Sequence, residues 1–236
     1  MKKTALICTA SLSLLAQVAF SQPRSSGSFT VGAVGTGRST WLLNKNISET
    51  DEQTQAYEPS FGIGYGISLG SYFSDNFGVE LDVLMSGHQQ KYKGGTNYFT
   101  QYHSRTNMRQ IDLPLTVLIK ANSGSYFEIG AMYTLINKAT YSKTLDSLDV
   151  TASKDVSTLY QKNSFAGLIG FGMEANLSDQ VLLQIGFRVA YGLTDLKGVD
   201  GQNAYSFDNA LIYSDPYQTH QVSGGIHFGI KYMLEY

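Results

Sequence analysis

Ten ionisable side chains stand at alternate positions along parts of this 236-residue chain, and each has an apolar residue on both sides. Carboxylates that lie beside cations can transfer protons, guide ions or form ion pairs. Which of these chemistries applies depends on whether the surrounding elements bring the side chains onto one surface. The ten residues are Glu80, Asp82, Asp112, Lys120, Glu128, Glu174, Arg188, His227, Lys231 and Glu235.

A serine and a histidine at neighbouring same-face positions, Ser86 and His88, form the most suggestive catalytic pair. A serine nucleophile needs a base within hydrogen-bond reach and a third group that orients the base. Glu80 is three same-face steps from Ser86, which is too far along a strand to orient His88. We therefore expect no catalytic residues and no enzyme activity.

Metal and nucleic-acid sites are not expected either. The single cysteine is Cys8, and the four histidines are scattered without the spacing of a metal-ligand set. The formal net charge of −2 gives no reason to expect a polyanionic partner. The sequence thus predicts no metal, no cofactor and no nucleic-acid partner.

The ionisable residues belong to segments in which apolar and small or polar residues alternate. The clearest segment runs from Val181 to Leu193, with large apolar side chains at the odd positions. A period of two indicates a β-strand with two unlike faces. We count eight such segments without helices between them, and the first and weakest covers residues 29–36.

The connections between these segments alternate in length. Three are short turns, at residues 74–76, 121–124 and 178–180, and four are long, near residues 37–60, 87–108, 138–162 and 194–220. Short periplasmic turns and long external loops are typical of bacterial outer-membrane barrels. The sequence predicts an all-β fold, an eight-stranded antiparallel up-and-down transmembrane β-barrel in the cell outer membrane of a Gram-negative bacterium.

Two soluble folds share the alternation. A β-sandwich would give the same period but rarely such regular alternation of short and long connections. A ligand carrier of the lipocalin type would be water-exposed outside, so its outer face should be rich in Lys and Glu. Here the small and polar face is rich in glycine, which suits a narrow, crowded barrel interior.

The N-terminus has the features of a secretory signal. Lys2 and Lys3 precede an apolar run, and Ala19 and Ser21 supply small residues before a cleavage site. We expect a signal peptide at residues 1–21 and a barrel domain at residues 22–236. An uncleaved membrane anchor is the alternative, although the run is short for a helix that must span a bilayer.

Two stretches resemble a known group of barrels. The strand from Arg109 to Lys120, with Asp112-Leu113-Pro114-Leu115, and the aromatic strand that begins at Tyr126 resemble the porin-family outer-membrane proteins of Bacteroidetes, often called PorT-like. Glu is more usual than Asp at the position of Asp112. The resemblance implies an outer-membrane barrel and, through PorT, a component of a secretion or envelope complex. The C-terminal residues 232–236 also resemble the aromatic signal that barrel assembly machinery recognises.

If the apolar face contacts outer-membrane lipid, the other face points into the barrel. We expect an interior ion-pair network there, because an isolated buried charge is costly. The long loops hold many tyrosines among small polar residues, a composition that favours binding surfaces. The sequence therefore predicts a structural or surface-interaction protein, with a narrow pore or a lipid-modifying enzyme as the alternative from another class. The predicted network is Glu80, Asp82, Asp112, Lys120, Glu128, Glu174, Arg188 and Lys231, and the candidate loop surface is Tyr92, Tyr98, Tyr102, Tyr205, Tyr213 and Tyr217.

Overall fold

The computed structural model describes residues 27–45, 56–95, 101–145, 150–196 and 218–234. The expected signal peptide, residues 1–21, and Cys8 lie outside these ranges. No α-helix within the described ranges is both long enough and apolar enough to cross a membrane.

The described chain is almost entirely β-strand, because alternating faces recur throughout it. Eight strands are long, β2 and β7 are short, and a 3-10 turn at Ser157–Leu159 follows β7. The strands are β1 (Ser28–Asn44), β2 (Ala56–Glu58), β3 (Phe61–Ser74), β4 (Phe77–Gly94), β5 (Tyr102–Lys120), β6 (Ser125–Leu145), β7 (Val150–Asp155), β8 (Asn163–Asn176), β9 (Val181–Gly192) and β10 (Thr219–Leu234).

The eight long strands close into a ring. Each pairs antiparallel with two neighbours, in the order β1-β3-β4-β5-β6-β8-β9-β10 and back to β1. The closing pair runs in continuous register from Phe29 opposite Leu234 to Asn44 opposite Thr219. The short strands extend the sheet at one end, where β2 pairs with β4 and β7 pairs with β6. The predicted eight-stranded antiparallel barrel is confirmed.

The outer wall is apolar and the interior is polar. Large side chains such as Ile63, Phe171 and Ile230 are more than half exposed on the outside. Buried side chains include Glu80, Gln184 and other polar residues. A soluble protein would place these two classes the other way round, so the exposed apolar band is the surface that lipid covers.

Strands extend into three of the predicted long connections. The strand β1 continues to Asn44 rather than ending at Thr36, and β4, β5 and β6 reach Gly94, Tyr102 and Leu145. The alternation continues there. On β4, β5 and β6 its outward residues turn polar, so these segments resembled loops in the sequence, whereas β1 keeps Trp41 and Leu43 on the outward face. Residues 197–217 of the fourth connection lie outside the described part. We call the strand ends beyond the apolar band, with β2 and β7, the external extension.

Pro114 leaves a local gap in the sheet. The β4–β5 ladder is paired at Leu81 opposite Leu115 and at Leu84 opposite Asp112, but not at the two positions between. Proline has no backbone N–H to donate to a ladder. The gap occurs beside the charged interior, where side chains of both strands meet the lumen.

Two levels of the outer wall should respond differently to an added charge. Leu115 is half exposed in the middle of the apolar band, whereas Leu43 is outward on the external extension. We expect Leu115→Arg to decrease the stability of the barrel folded in liposomes by about 2–4 kcal/mol. Leu43→Arg should decrease it by less than about 1 kcal/mol. Urea titration of folding measures both. Equal losses would show that the apolar band does not face lipid.

Candidate functional site

The polar residues of the interior form three clusters at successive heights. The strand β5 marks two of the heights, because Lys120 lies at its turn end and Asp112 lies eight residues further up. Glu80 on β4 pairs with Thr116, midway between them. We call the groups the lower, central and upper clusters.

The central cluster surrounds Arg188. Its guanidinium contacts three carboxylates: Glu128 Oε1 and Asp82 Oδ2 at 2.6 Å each, and Glu80 Oε1 at 3.3 Å. Lys231 Nζ binds the other oxygen of Glu80. These residues come from β4, β6, β9 and β10, so the ion pairs cross the lumen between facing walls. The arrangement satisfies charges that would be costly if they were unpaired.

The upper cluster is centred on Asp112. Arg38 Nη2 and Ser86 Oγ each donate to Asp112 Oδ2 at 2.6 Å. Gln110 and Thr134 donate to Oδ1 at 2.7 and 2.8 Å. A carboxylate with four donors is fully satisfied, and this saturation makes Asp112 an anchor for four strands.

The Ser86 and His88 pair does not have the arrangement of a nucleophile and its base. The Ser86 hydroxyl donates to Asp112 and accepts from Arg38 Nη2 at 2.9 Å. The His88 ring contacts Gln221 Nε2 through Nδ1 at 2.8 Å. Both side chains are buried. Their contacts are those of interior packing residues.

The lower cluster lies near the short turns. Lys120 Nζ binds Glu174 Oε2 at 2.6 Å and lies 3.5 Å from the centre of the Tyr72 ring. The Tyr72 hydroxyl and Gln184 Nε2 donate to the other oxygen of Glu174, at 3.2 and 3.4 Å. An ion pair and a cation–π contact thus fill the periplasmic end of the lumen.

One trio in the central cluster could gather metal ligands. One ligand atom each of Glu80, Asp82 and His227 lies within 4.8 Å of the others. Arg188 and Lys231 already bind the two carboxylates, so the protein's own cations occupy the positions next to them. A metal ion would have to compete with two side-chain cations for the same oxygens, so this trio is a poor metal site.

Apolar side chains separate and cover the clusters. A cavity of about 30 Å³ between Arg38 and Arg188 is lined by Leu84, Pro114 and Met132, among others, and has room for about one or two waters. Inside the external extension an apolar cluster lies above the upper cluster, beside buried polar side chains such as Gln90 and Thr106. Its buried members are Leu42, Met108, Ile136, Ala139, Tyr141, Val156, Tyr160 and Leu196.

The structure brings all eight predicted network residues into the interior. Each is buried or nearly so, and each has an ion-pair partner. They form three separate clusters rather than one network. Arg38 was missed because the first strand was expected to end at Thr36, although its same-face continuation through Thr40 carried the signal. His227 is also buried, and Glu235 lies outside the described residues.

The candidate tyrosine surface requires a correction. Tyr92 is 1% exposed because its even position on β4 points into the lumen. Tyr102 is partly buried, and Lys143 Nζ lies 4.5 Å from its ring centre. Burial, with Tyr141 nearby, raises the pKa of Tyr102 to about 12, so this phenol stays neutral at physiological pH. The other four, Tyr98, Tyr205, Tyr213 and Tyr217, lie outside the described residues.

A short turn follows the C-terminal end of β7. The Ser157 hydroxyl and amide donate to Asp155 Oδ1 at 2.6 and 2.9 Å. These hydrogen bonds lower the pKa of Asp155 below its usual value, so the carboxylate is charged at neutral pH. The turn holds Tyr160 and Val156 against the apolar cluster.

Removing the shared cation of the central cluster should be costly. Arg188→Met leaves Asp82 and Glu128 without their cation, and breaking a buried ion pair costs about 3–5 kcal/mol. Lys162→Met, an exposed control just before β8, should change stability by less than about 0.5 kcal/mol. Urea-induced unfolding in liposomes compares them. An Arg188→Met barrel as stable as the control would mean that the ion pairs do not hold the interior together.

Comparison with known proteins agrees with this architecture. The family described as "Outer membrane protein beta-barrel domain" matches residues 4–233 of the chain. No curated protein matches significantly.

Several solved outer-membrane barrels show weak similarity to this chain. OprG from Pseudomonas aeruginosa is 14% identical with a TM-score of 0.45, and the match covers 90% of this chain and 98% of OprG. Outer membrane protein W of E. coli is 14% identical with a TM-score of 0.41, covering 89% of this chain and all of that protein. Ail of Yersinia pestis is 11% identical with a TM-score of 0.42, with coverage of 89% and 100%. On the family match, which spans nearly the whole chain, this protein belongs to the outer-membrane β-barrel domain family and resides in the cell outer membrane.

Proposed function

We propose that this protein is a non-conducting outer-membrane barrel with a structural or surface-interaction role, exerted through its external extension. The observation that carries the proposal is the filled interior. Three ion-pair clusters and an apolar cluster occupy the lumen at successive heights. Eight strands enclose a space just wide enough for side chains, which agrees with a packed core rather than a channel.

The external extension is a folded platform. On β4 the outward apolar side chains end at Met85, yet the strand continues to Gly94, about 30 Å further at 3.3 Å per residue. The paired part of β5 follows it over the same length. Because the apolar cluster packs inside these strands, the extension presents a wall of fixed shape to the cell exterior.

Catalysis and transport have less support. The Ser86 hydroxyl is bound between Arg38 and Asp112, so the pair most suggestive of a hydrolase has a structural use. A solute path would have to pass Arg188, which bridges three carboxylates across the lumen. A lipid-modifying enzyme and a narrow pore are therefore less well supported than the surface role.

A second candidate is a component of a secretion or envelope complex, as the resemblance to PorT-like proteins of Bacteroidetes implies. The Asp112-Leu113-Pro114-Leu115 stretch is the feature that favours it. In this barrel Asp112 anchors the upper cluster and Pro114 lies at the gap in the β4–β5 ladder. Because both residues have local structural uses, the stretch supports the fold more directly than a secretion partner.

Planar-bilayer recording tests the proposal. We expect the folded full chain to give no stable single-channel steps, while a sixteen-stranded porin in the same bilayers conducts. Insertion is checked in parallel by heat-modifiable migration on gels. Large, reproducible steps from the folded chain would overturn the non-conducting role and favour the pore.

A further inference from the structure

A set of basic side chains lies on the outward face of the external extension, on the neighbouring strands β4, β5 and β6. Their chain neighbours Gln90, Tyr92 and Thr106 are buried, so strand alternation directs the basic residues outward. All are exposed except Lys91, which is partly buried. We call this set the cationic wall, and its members are Lys91, Lys93, His103, Arg105, Arg109 and Lys138.

Like charges face each other directly across this wall. Lys91 is the Cα partner of Arg105 on the β4–β5 pair, and Arg109 is the partner of Lys138 on the β5–β6 pair. Directly opposed residues have Cβ atoms about 5 Å apart, and like charges in that position destabilise a sheet. Two such pairs on adjacent ladders are a cost that an anion between the cations would remove.

The chain supplies little negative charge to the wall. Glu58 on β2 is the Cα partner of Lys91, and its Oε2 contacts His103 Nδ1 at 3.1 Å. Lys138 lies near Asp155. The side chains of Lys91, Lys93, Arg105 and Arg109 have no ion pair with any carboxylate of the described residues. The wall is basic although the whole chain has a formal net charge of −2.

The lower edge of the wall coincides with the edge of the apolar band. Met85, Ile111 and Leu135 form one outward row across β4, β5 and β6. The next outward row contains Gly87, Arg109 and Lys138, with one extra residue bulged out of β6 between the two rows. Arg109 and Lys138 therefore lie at the level of lipid headgroups, and Lys91 and Arg105 lie about 13 Å further along the strands.

We propose that the cationic wall binds phosphorylated headgroups of the lipids in the external leaflet. Arginine presents paired N–H donors that match phosphate oxygens, and lysine adds a point charge. The external leaflet of an outer membrane carries phosphorylated glycolipids, whose phosphates lie just above the acyl chains. A phosphate between Arg109 and Lys138 would neutralise one like-charge pair, and a headgroup that extends outward would reach the other. The inference rests on the external extension being the working surface of the barrel, and it names the partner class.

Lipid binding to the folded full chain in detergent micelles tests this inference. Native mass spectrometry would titrate the chain with doubly phosphorylated lipid A and with the same lipid after removal of its phosphates. We expect clear preference for the phosphorylated form, and weaker binding as ionic strength rises. Arg105→Gln with Arg109→Gln should lower the affinity at least about tenfold, a change typical of lost charge-assisted hydrogen bonds.

Two control variants separate the wall from general charge. Arg105→Lys with Arg109→Lys retains the charge and should keep most of the binding. Lys154→Gln removes an exposed lysine opposite Tyr141, whose side chain is buried, so Lys154 is on the other face from the wall and its loss should leave binding unchanged. Heat-modifiable migration verifies that each variant is folded.

Several results would overturn the inference. Equal binding of the two lipid forms, or wild-type affinity in the double Gln variant, would remove the wall as a phosphate site. Inorganic phosphate that binds as tightly as the lipid would assign the wall to a soluble anion instead. None of these results depends on bilayer conductance, so a barrel that is electrically silent but fails to bind phosphate would lose this partner while retaining its non-conducting role.

Discussion

The pairing of charges inside a narrow barrel is the constraint on which the rest of this structure depends. An apolar outer wall forces the polar residues of every strand inward, and eight strands leave them no bulk water. Each interior charge must therefore find a partner on another strand. Arg188 has three carboxylate partners on two strands, and Arg38 reaches Asp112 from β1. The same contacts that neutralise the charges also tie the walls of the barrel together.

The glycines of the inner face make these long side chains possible. A side chain on Gly170 would overlap Glu128, and one on Gly172 or Gly186 would overlap the hydroxyl of Tyr126 and nearby backbone. Large residues on one strand thus lie over bare backbone on its neighbours. Interior packing of this kind explains why glycine and charge occur on the same face. Substitution at Gly170 would displace the carboxylate that binds Arg188, and substitution at Gly172 or Gly186 would displace Tyr126.

The sequence predicts the strand count, the inner face and the charged residues because an alternating pattern ties every residue to one wall. It could not predict which carboxylate meets which cation, because the partners of Arg188 are 60 or more residues away and register decides their height. The predicted end of β1 at Thr36 and the predicted loop position of Tyr92 are both wrong, because β1 runs to Asn44 and Tyr92 is on β4. Above the membrane the outward residues of β4, β5 and β6 are polar, so the apolar outer face, which is the basis of the prediction, ends there although the strands continue.

The change of faces along β5 locates the membrane boundary and explains the two halves of the molecule. Below it Ile111 and Leu115 are outside while Asp112 is inside, because lipid requires an apolar exterior. Above it Arg105 and Arg109 are outside while Met108 is inside, because water solvates charged side chains and favours burial of apolar ones. One continuous strand therefore contacts lipid along its lower part and water along its upper part. The boundary between them brings the cationic wall to the headgroup layer, so the position of the proposed lipid contact follows from the same hydrophobic pattern that inserts the barrel.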